Sequence, residues 1–517
     1  MQGFHRSTDA GQTFSQVDNG FYCEQSFYSF SLAVSPKNPD EIFAGCENLY
    51  RHNPAGSWES VSMYAPGSSH PQIMVYHPDV HDIRYLADGT FLAVTDGGLH
   101  HNLGGTNWVQ LNNNLNVGQS YRVGVMPGDY DHVCTGRQDN GADIKAGASA
   151  AFQTAFDKDG MGCFWNSDGT RWYSTAQMGD FKYCDYTNGQ TGNCTYGNGA
   201  NNHPKEKGSW DTPWSAHPTD PAVLFAGMNN MWRSPDKGAT WTQMGTLGGT
   251  GGIRNFTVAP SNSQVIYVAK DSKIFRTTDG GSAWQDVTGT LAGIPTDVAV
   301  SAANPDHVWV TLSGYDATRK VYRSVNGGQA WTNETASGLP NLPANTVVLD
   351  DLGSNGVYVG MDIGVFYKRD GMASWQDFSG GLPNVQVREL EMGRKGAGTA
   401  DRMLFAATFG RGVLRTRLWD DLPAHSRRAG APPALREFSA SFSGSTLHLG
   451  FRLDGGEGTG ATALRLARLD GKILHGEETL QAGYHERHID LAGQGKGLCL
   501  LILENATARI AKPIVIP

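Results

Sequence analysis

The chain has 517 residues, among them 66 glycines and 13 tryptophans, and only 18% are charged, which describes a turn-rich β protein long enough to bury a large core. Its net charge of −9 gives no reason to expect nucleic acid, which binds basic surfaces. No apolar run is long enough to cross a bilayer as a helix, and no signal peptide is legible where Met1-Gln-Gly-Phe4 opens directly into a strand. That start reads either as a fragment boundary or as a short strand that completes the last repeat of the chain.

A partial unit comes first and holds Ser7-Thr-Asp9-Ala-Gly11-Gln-Thr13-Phe14. The same pattern, Ser/Thr-x-Asp-x-Gly-x-x-aromatic, returns at Ser234–Trp241, Thr277–Trp284 and Ser324–Trp331, with an Asn at 326 in place of Asp. Each position meets a physical need. The Asp or Asn caps a tight turn, the Gly takes positive φ, and the aromatic fills the gap between neighbouring sheets. Asp236, Asp279 and Asn326 are 43 and 47 residues apart, one four-stranded propeller blade per step. Where the pattern has decayed its closing aromatic persists, at Trp58, Trp108, Phe152 and Trp375, with Tyr196 inside the one double gap.

Within a unit, a β-rich run such as Phe256-Thr-Val-Ala259 precedes a turn at Pro260-Ser-Asn262, as it does at Asn38-Pro-Asp40 and Asn304-Pro-Asp306. A second run (Val265–Ala269), a short turn, a third run (Ile274–Thr277), the patterned turn and a fourth strand follow, with no helical periodicity. Eight units read as complete between Gln25 and Gly380, and a last partial one spans Glu389–Leu418. The expected fold is all-β: a β-propeller over residues 1–418, nearer nine blades than seven, with two smaller propellers as the alternative. Closing the ring by pairing its ends removes the exposed sheet edge.

Residues 419–433, rich in Pro, Ala and charge, read as a linker, and 434–517 as a small β-sandwich with strands such as Thr446–Phe451, Ala463–Leu469 and Cys499–Leu503. Seven cysteines do not make a disulfide scaffold. Cys184 and Cys194 flank a polar loop that a disulfide would pin. Cys23 with Cys46 and Cys134 with Cys163 are further pairs, and Cys499 is left odd. No metal-ligand spacing is present, so disulfides in an oxidising setting are preferred to zinc, with buried free thiols as the alternative.

Residues 1–418 resemble the Asp-box propellers of sialidases, xyloglucanases and the sortilin luminal domain. They are more closely similar to bacterial secreted BNR/Asp-box repeat proteins labelled glycosyl hydrolases. The closer likeness rests on Gln138-Asp139-Asn140-Gly141, Asp159-Gly160-Met161, Trp210-Asp-Thr-Pro213, Gly338-Leu-Pro340, Gly360-Met-Asp362-Ile-Gly364-Val-Phe366 and Thr408-Phe-Gly410-Arg411-Gly412. Residues 434–517 resemble the C-terminal sorting domain of type IX secretion substrates, through Leu469-Asp-Gly-Lys-Ile473, Leu480-Gln-Ala-Gly483, Ile489-Asp-Leu491 and Lys496-Gly-Leu498. That domain usually has an aromatic after Lys-Gly, where this chain has Leu498-Cys499. Together the resemblances imply a secreted or surface-attached protein. Its expected partners are a polysaccharide or glycan and, further, a cell-surface protein or the outer-membrane secretion machinery; no cofactor is expected.

With the patterned turns between strands three and four, the turns between strands two and three lie on the opposite face. They carry Glu47/Asn48, Asp96, Asp139/Asn140, Asp180, Asn229/Asn230, Asp271, Asp316, Asp362 and Arg411. Asp96, Asp139 and Asp362 are the candidate acid and base of a glycoside hydrolase, with Asp159 a weaker fourth and Arg411 a binder of anions or of a neighbouring Asp. The competing reading is that tight turns select Asp, Asn and Gly in any case. A sialidase, by resemblance, needs three arginines on the substrate carboxylate and an Arg-Ile-Pro string, and Ile294-Pro295 lacks its Arg. Asp157-Lys-Asp159-Gly160 reads as a turn, not a calcium loop. His100 and His101 are adjacent strand residues facing opposite sides, so no shared metal site is expected. For binding, the candidates are Gln138, Asn140, Asp159, Asn229, Asn230, Tyr315, Arg411, Trp210 and Trp214, with Tyr186 and Phe409 as further loop aromatics. The preferred reading is non-catalytic glycan recognition; the alternatives are a xyloglucanase-like hydrolase and an adhesin or assembly protein.

Overall fold

The computed structural model describes residues 3–18, 21–52, 57–62, 77–105, 107–113, 115, 117–147, 151–156, 159–187, 189–197, 203–350, 355–396, 401–422, 435–453, 462–468, 473–480, 483–493, 497–504 and 509–516. They form two compact units: Met1–Gly118 with Arg137–Ala142 and Phe156–Gly160, and Gln119–Gly136 with Asp143–Ala155 and Met161–Pro517.

The first unit holds the two-stranded sheet Phe4–Arg6/Ser15–Asp18 and two four-stranded antiparallel sheets. One runs Ser31–Val34, Ile42–Gly45, Leu49–His52, Trp58–Ser60, and the other Val80–Tyr85, Phe91–Thr95, Gly98–Asn102, Trp108–Gln110. Phe43, Leu49, Val80, Ile83, Phe91 and Trp108 make one core. Phe4, Phe21 and Ala44 make another, around the Cys23–Cys46 disulfide.

Seven sheets of the second unit begin with the strands Ser120–Val125, Cys163–Trp165, Trp214–Ala216, Ile253–Val258, Pro295–Val300, Ala344–Asp350 and Gln386–Arg394. Consecutive sheets pack side by side, and the last packs on the first, so the circuit closes. Among the described residues the closed ring therefore has seven blades, not nine, and the remaining sheets belong to the first unit, which forms no second propeller. Closure is held at the first blade: the Val123 N–H donates to Glu389 Oε2 (2.7 Å) and the Val125 N–H to Glu391 Oε2 (3.0 Å). The closing sheet has three strands where six of the others have four.

A bulge recurs near the start of the innermost strands, after Ile253, Pro295, Ala344 and Val387. It turns the next side chain toward the following blade, because one extra residue shifts the pleat. Asn255 Nδ2–H donates to Asp297 Oδ1 (2.5 Å), Val347 N–H to Asp297 Oδ2 (2.8 Å), Leu390 N–H to Thr346 Oγ1 (3.2 Å) and Val123 N–H to Glu389. At three junctions a side chain of one blade thus caps a backbone donor of the next. Second strands such as Ile266–Lys270, Val308–Leu312 and Gly356–Met361 are buried at every residue, because a sheet packs on either side of them.

The patterned turns repeat one geometry. The Ser or Thr hydroxyl bonds the Asp or Asn Oδ1 at 2.7–2.9 Å in all four copies and accepts the Gly N–H at 2.7–3.0 Å. Asp9, Asp236, Asp279 and Asn326 then accept the N–H four residues on, at 2.7–3.0 Å. Gly11, Gly238, Gly281 and Gly328 all sit at φ between +86° and +92°, where a Cβ is strained. The indole N–H groups of Trp284 and Trp331 reach carbonyls of the preceding blade, Met244 and Val287. Trp241 instead packs on Trp214 and Phe181. Phe14 corrects the expectation for the first copy: it is 63% exposed, because its two-stranded sheet offers no gap to fill.

Among the described residues, seven strands form a sandwich at the C-terminal end, in sheets of three and four. Leu447, Leu449, Phe451, Leu464, Leu466, Ile489 and Leu501 fill it. Trp419, read as the start of the linker, is buried and stacked on Tyr367, its N–H bonded to the Tyr358 hydroxyl. Residues 423–434 lie outside the described residues. Disulfides join Cys23 to Cys46, Cys134 to Cys163 and Cys184 to Cys194, and the side chain of Cys499 lies outside those described.

Candidate functional site

Three of the sequence-selected acids converge in the first unit. Asp96 sits in the turn after Phe91–Thr95, Asp139 in the turn between Val133–Arg137 and Gly141–Lys145, and Asp159 just before Gly160. The Asp139 N–H donates to Asp159 Oδ1 at 2.7 Å, and Asn140 Nδ2–H donates to the Asp96 carbonyl at 2.9 Å. Gly160 is required where it stands, since a Cβ would lie 2.2 Å from the Gly141 carbonyl oxygen. Asp139 itself adopts φ +61°, the left-handed region that Asp and Asn tolerate better than other residues. The turn requirement is therefore real, but it does not account for the partners of this carboxyl.

Burial, followed by the hydrogen bond and charge of Asp159, pushes the Asp139 carboxyl up to about 8. Asp96 is capped on both oxygens: Tyr28 O–H donates to Oδ2 (2.9 Å) and His81 Nε2–H to Oδ1 (2.6 Å). Burial and the bond to Asp96 push the Tyr28 phenol up. His77 Nε2–H donates to the Asp139 carbonyl (2.6 Å), and buried Asp79 accepts Ser29 O–H (2.9 Å) and is itself pushed up by burial. Tyr28 remains 44% exposed, and its neighbour Phe27 is 90% exposed. The arrangement offers one proton-bearing carboxyl, one carboxyl with both oxygens accepting, an amide and the accessible ring of Tyr28.

Tyr28, His77, Asp79 and His81 were not selected from the sequence. His77-Pro-Asp79 has the look of the repeated Asn-Pro-Asp turn, and His81 occupies a bulge, a register shift after Val80 that no residue type announces.

Asp362 is not part of this group; it lies in the second unit, where Asn345 and Gln386 amides both donate to its Oδ1. Several other candidates are corrected by their packing. Trp214 and Tyr186 are buried core residues, Trp214 against Phe181 and Tyr186 against Trp165. Asn230 donates from its backbone and amide to Glu206 and accepts Leu247 N–H, which satisfies its side chain internally. The carbonyl of Asn229 accepts the buried Lys270 ammonium at 2.7 Å. Trp210 and Tyr315 stay accessible, 45% and 69% exposed, and Arg411 is exposed, its N–H bonded to Thr408. Gln138 gives its carbonyl to Asn140. His100 is buried on Thr95 and His101 faces the other way onto Thr90, so alternation separates them.

Among the described residues no three His, Cys, Asp or Glu side chains converge as a metal site, and no helix is long and apolar enough to cross a membrane. No curated protein matches the chain. Two solved structures from B. thetaiotaomicron align over nearly all of it, described as the extracellular domains of a one-component system and of a hybrid two-component system. The first is 12% identical over 98% of this chain and 70% of that one, with a TM-score of 0.43. The second is 13% identical over 100% and 72%, also at 0.43. Residues 229–341, the span that holds three of the four patterned turns, match the Sortilin-Vps10 family, described as sortilin, neurotensin receptor 3.

Proposed function

We propose that the chain is an extracytoplasmic Asp-box propeller that recognises a polysaccharide through the acid cluster of its first unit. The observation that carries this is the convergence of Asp96, Asp139, Asn140 and Asp159 beside the exposed ring of Tyr28. Sugar hydroxyls are read by carboxyl and amide groups, and pyranose faces stack on aromatic planes. Three disulfides support an oxidising compartment. The C-terminal sandwich fits a secretion-sorting role of the type IX kind. Trp210, Tyr315 and Arg411, each exposed on the second unit, are secondary candidates.

A second reading, glycoside hydrolysis, is favoured by one feature: Asp139 keeps its proton near neutral pH, as a general acid must, while Asp96 presents both oxygens as acceptors. Retention on a panel of immobilised polysaccharides, scored together with released reducing ends, separates the two. Retention without new reducing ends is expected. Reducing ends lost in Asp139→Asn would establish hydrolysis, and retention on no polysaccharide would end both readings.

A further inference from the structure

The three-stranded sheet of the sandwich carries a facing pair of histidines that the glycan site does not use. His448, on Thr446–Leu453, and His488, on Gly483–Asp490, stand directly opposite in the antiparallel register. Strand alternation buries their neighbours Leu447, Leu449 and Ile489 and leaves both imidazoles on the outward face. The rings meet edge to face with centroids 4.6 Å apart, and their Nδ1 atoms are 2.6 Å apart.

A neutral imidazole has one N–H and one lone pair. The Glu486 carboxylate, on the same face, lies 3.8 Å from His488 Nε2 and favours the proton there. The lone pair of His488 is then on Nδ1 and accepts the His448 Nδ1–H; for both nitrogens to ligate, His448 takes the tautomer with its proton on Nε2, the Nδ1 proton leaving to water as another is gained at Nε2. Two nitrogens converging from adjacent strands make a bidentate donor set, and imidazole suits Zn²⁺, Ni²⁺ and Cu²⁺ rather than the hard, oxygen-seeking Mg²⁺ or Ca²⁺.

We propose that His448 and His488 chelate a divalent transition-metal ion through their two Nδ1 atoms, with water completing the coordination. Metal–nitrogen bonds of about 2.0–2.1 Å at a tetrahedral angle need the nitrogens roughly 3.3 Å apart. The rings must therefore part by less than about 1 Å, which His488, 54% exposed, can do by a small rotation. Glu486 then supports the ligand from behind, as carboxylates do for metal-bound histidines. The ion clips the two strands that carry the sandwich core.

The test is calorimetric titration of the full chain with Ni²⁺ and with Zn²⁺. One equivalent is expected to bind ahead of any weaker sites among the 16 histidines. His448→Gln and His488→Gln should each weaken it at least tenfold, and Glu486→Gln several-fold. His485→Gln, whose ring stacks on Phe451 on the other face, should leave it unchanged. The proposal fails if His448→Gln and His488→Gln bind the first equivalent as the wild type does, or if Mg²⁺ competes for it at equal concentration. Cu²⁺ electron paramagnetic resonance gives a second reading: two coordinated nitrogens expected, against a spectrum unchanged by His488→Gln.

Discussion

Asp159→Asn isolates the interaction that most distinguishes the acid cluster. The asparagine Oδ1 can still accept the Asp139 N–H, which Asp159 Oδ1 receives at 2.7 Å, so the backbone is kept and only the like charge is removed. A unit charge at about 5 Å is worth roughly 3 kcal/mol at an effective dielectric of about 20. The cluster is only half-buried, and screening takes about half of that, leaving ~1 pH unit. Burial, the larger cause of the shift, remains. The Asp139 midpoint should therefore fall from about 8 to roughly 7. Infrared difference spectra against Asp139→Asn isolate the C=O stretch of the protonated carboxyl and follow its loss as pH rises. A raised folded-state value also means that Asp139 stabilises the fold below its unfolded value near 3.8, and that this is lost as pH climbs to about 8. Urea midpoints should thus fall with pH across that window in the wild type, and less steeply in Asp159→Asn. An unchanged infrared midpoint in Asp159→Asn, or no carboxyl band that Asp139→Asn removes, would refute the contribution assigned to Asp159.

Three further outcomes follow from the geometry. Asp297→Asn places an amide N–H against the Val347 N–H that Asp297 Oδ2 now accepts at 2.8 Å, and should cost about 1–3 kcal/mol in urea unfolding; no loss would remove the blade-to-blade belt from the account. Replacing Cys23 and Cys46 together by alanine opens a 23-residue separation worth about 3 kcal/mol. Limited proteolysis should then cut first within Met1–Gly118, and equal resistance there would contradict the two-unit division. Tyr28→Ala removes an exposed ring and its bond to Asp96, and should weaken polysaccharide retention about tenfold without moving the thermal midpoint; undiminished retention would exclude that ring from the site.

The sheets were legible because their turns are chemically demanding. Gly238, Gly281 and Gly328 hold positive φ, and the capping Asp or Asn leaves few substitutes, so the repeat survives in the sequence. The number of blades in the ring was not legible. It depends on which first strand receives Glu389 and Glu391, a pairing between residues more than 260 positions apart that no local signal encodes. The site was half legible. Asp96, Asp139 and Asp159 stood out as elaborate turns, whereas His81 owes its role to a bulge and Tyr28 to a loop without a repeated pattern. Trp214 and Tyr186 misled for a related reason: a polar, glycine-rich neighbourhood says little about which face an aromatic takes, and both rings turn into the core.

Affinity electrophoresis on the best-retained polysaccharide, comparing Asp96→Asn in the first unit with Tyr315→Ala in the second, weighs the placement of the glycan site most directly. Asp96→Asn disturbs the pairing with His81 and Tyr28, whereas Tyr315, 69% exposed, can be truncated without opening a core. Lost retardation in the first and near-normal retardation in the second is the predicted result. Full retardation of Asp96→Asn alongside loss in Tyr315→Ala would contradict it and move recognition from the acid cluster to the Tyr315 loop.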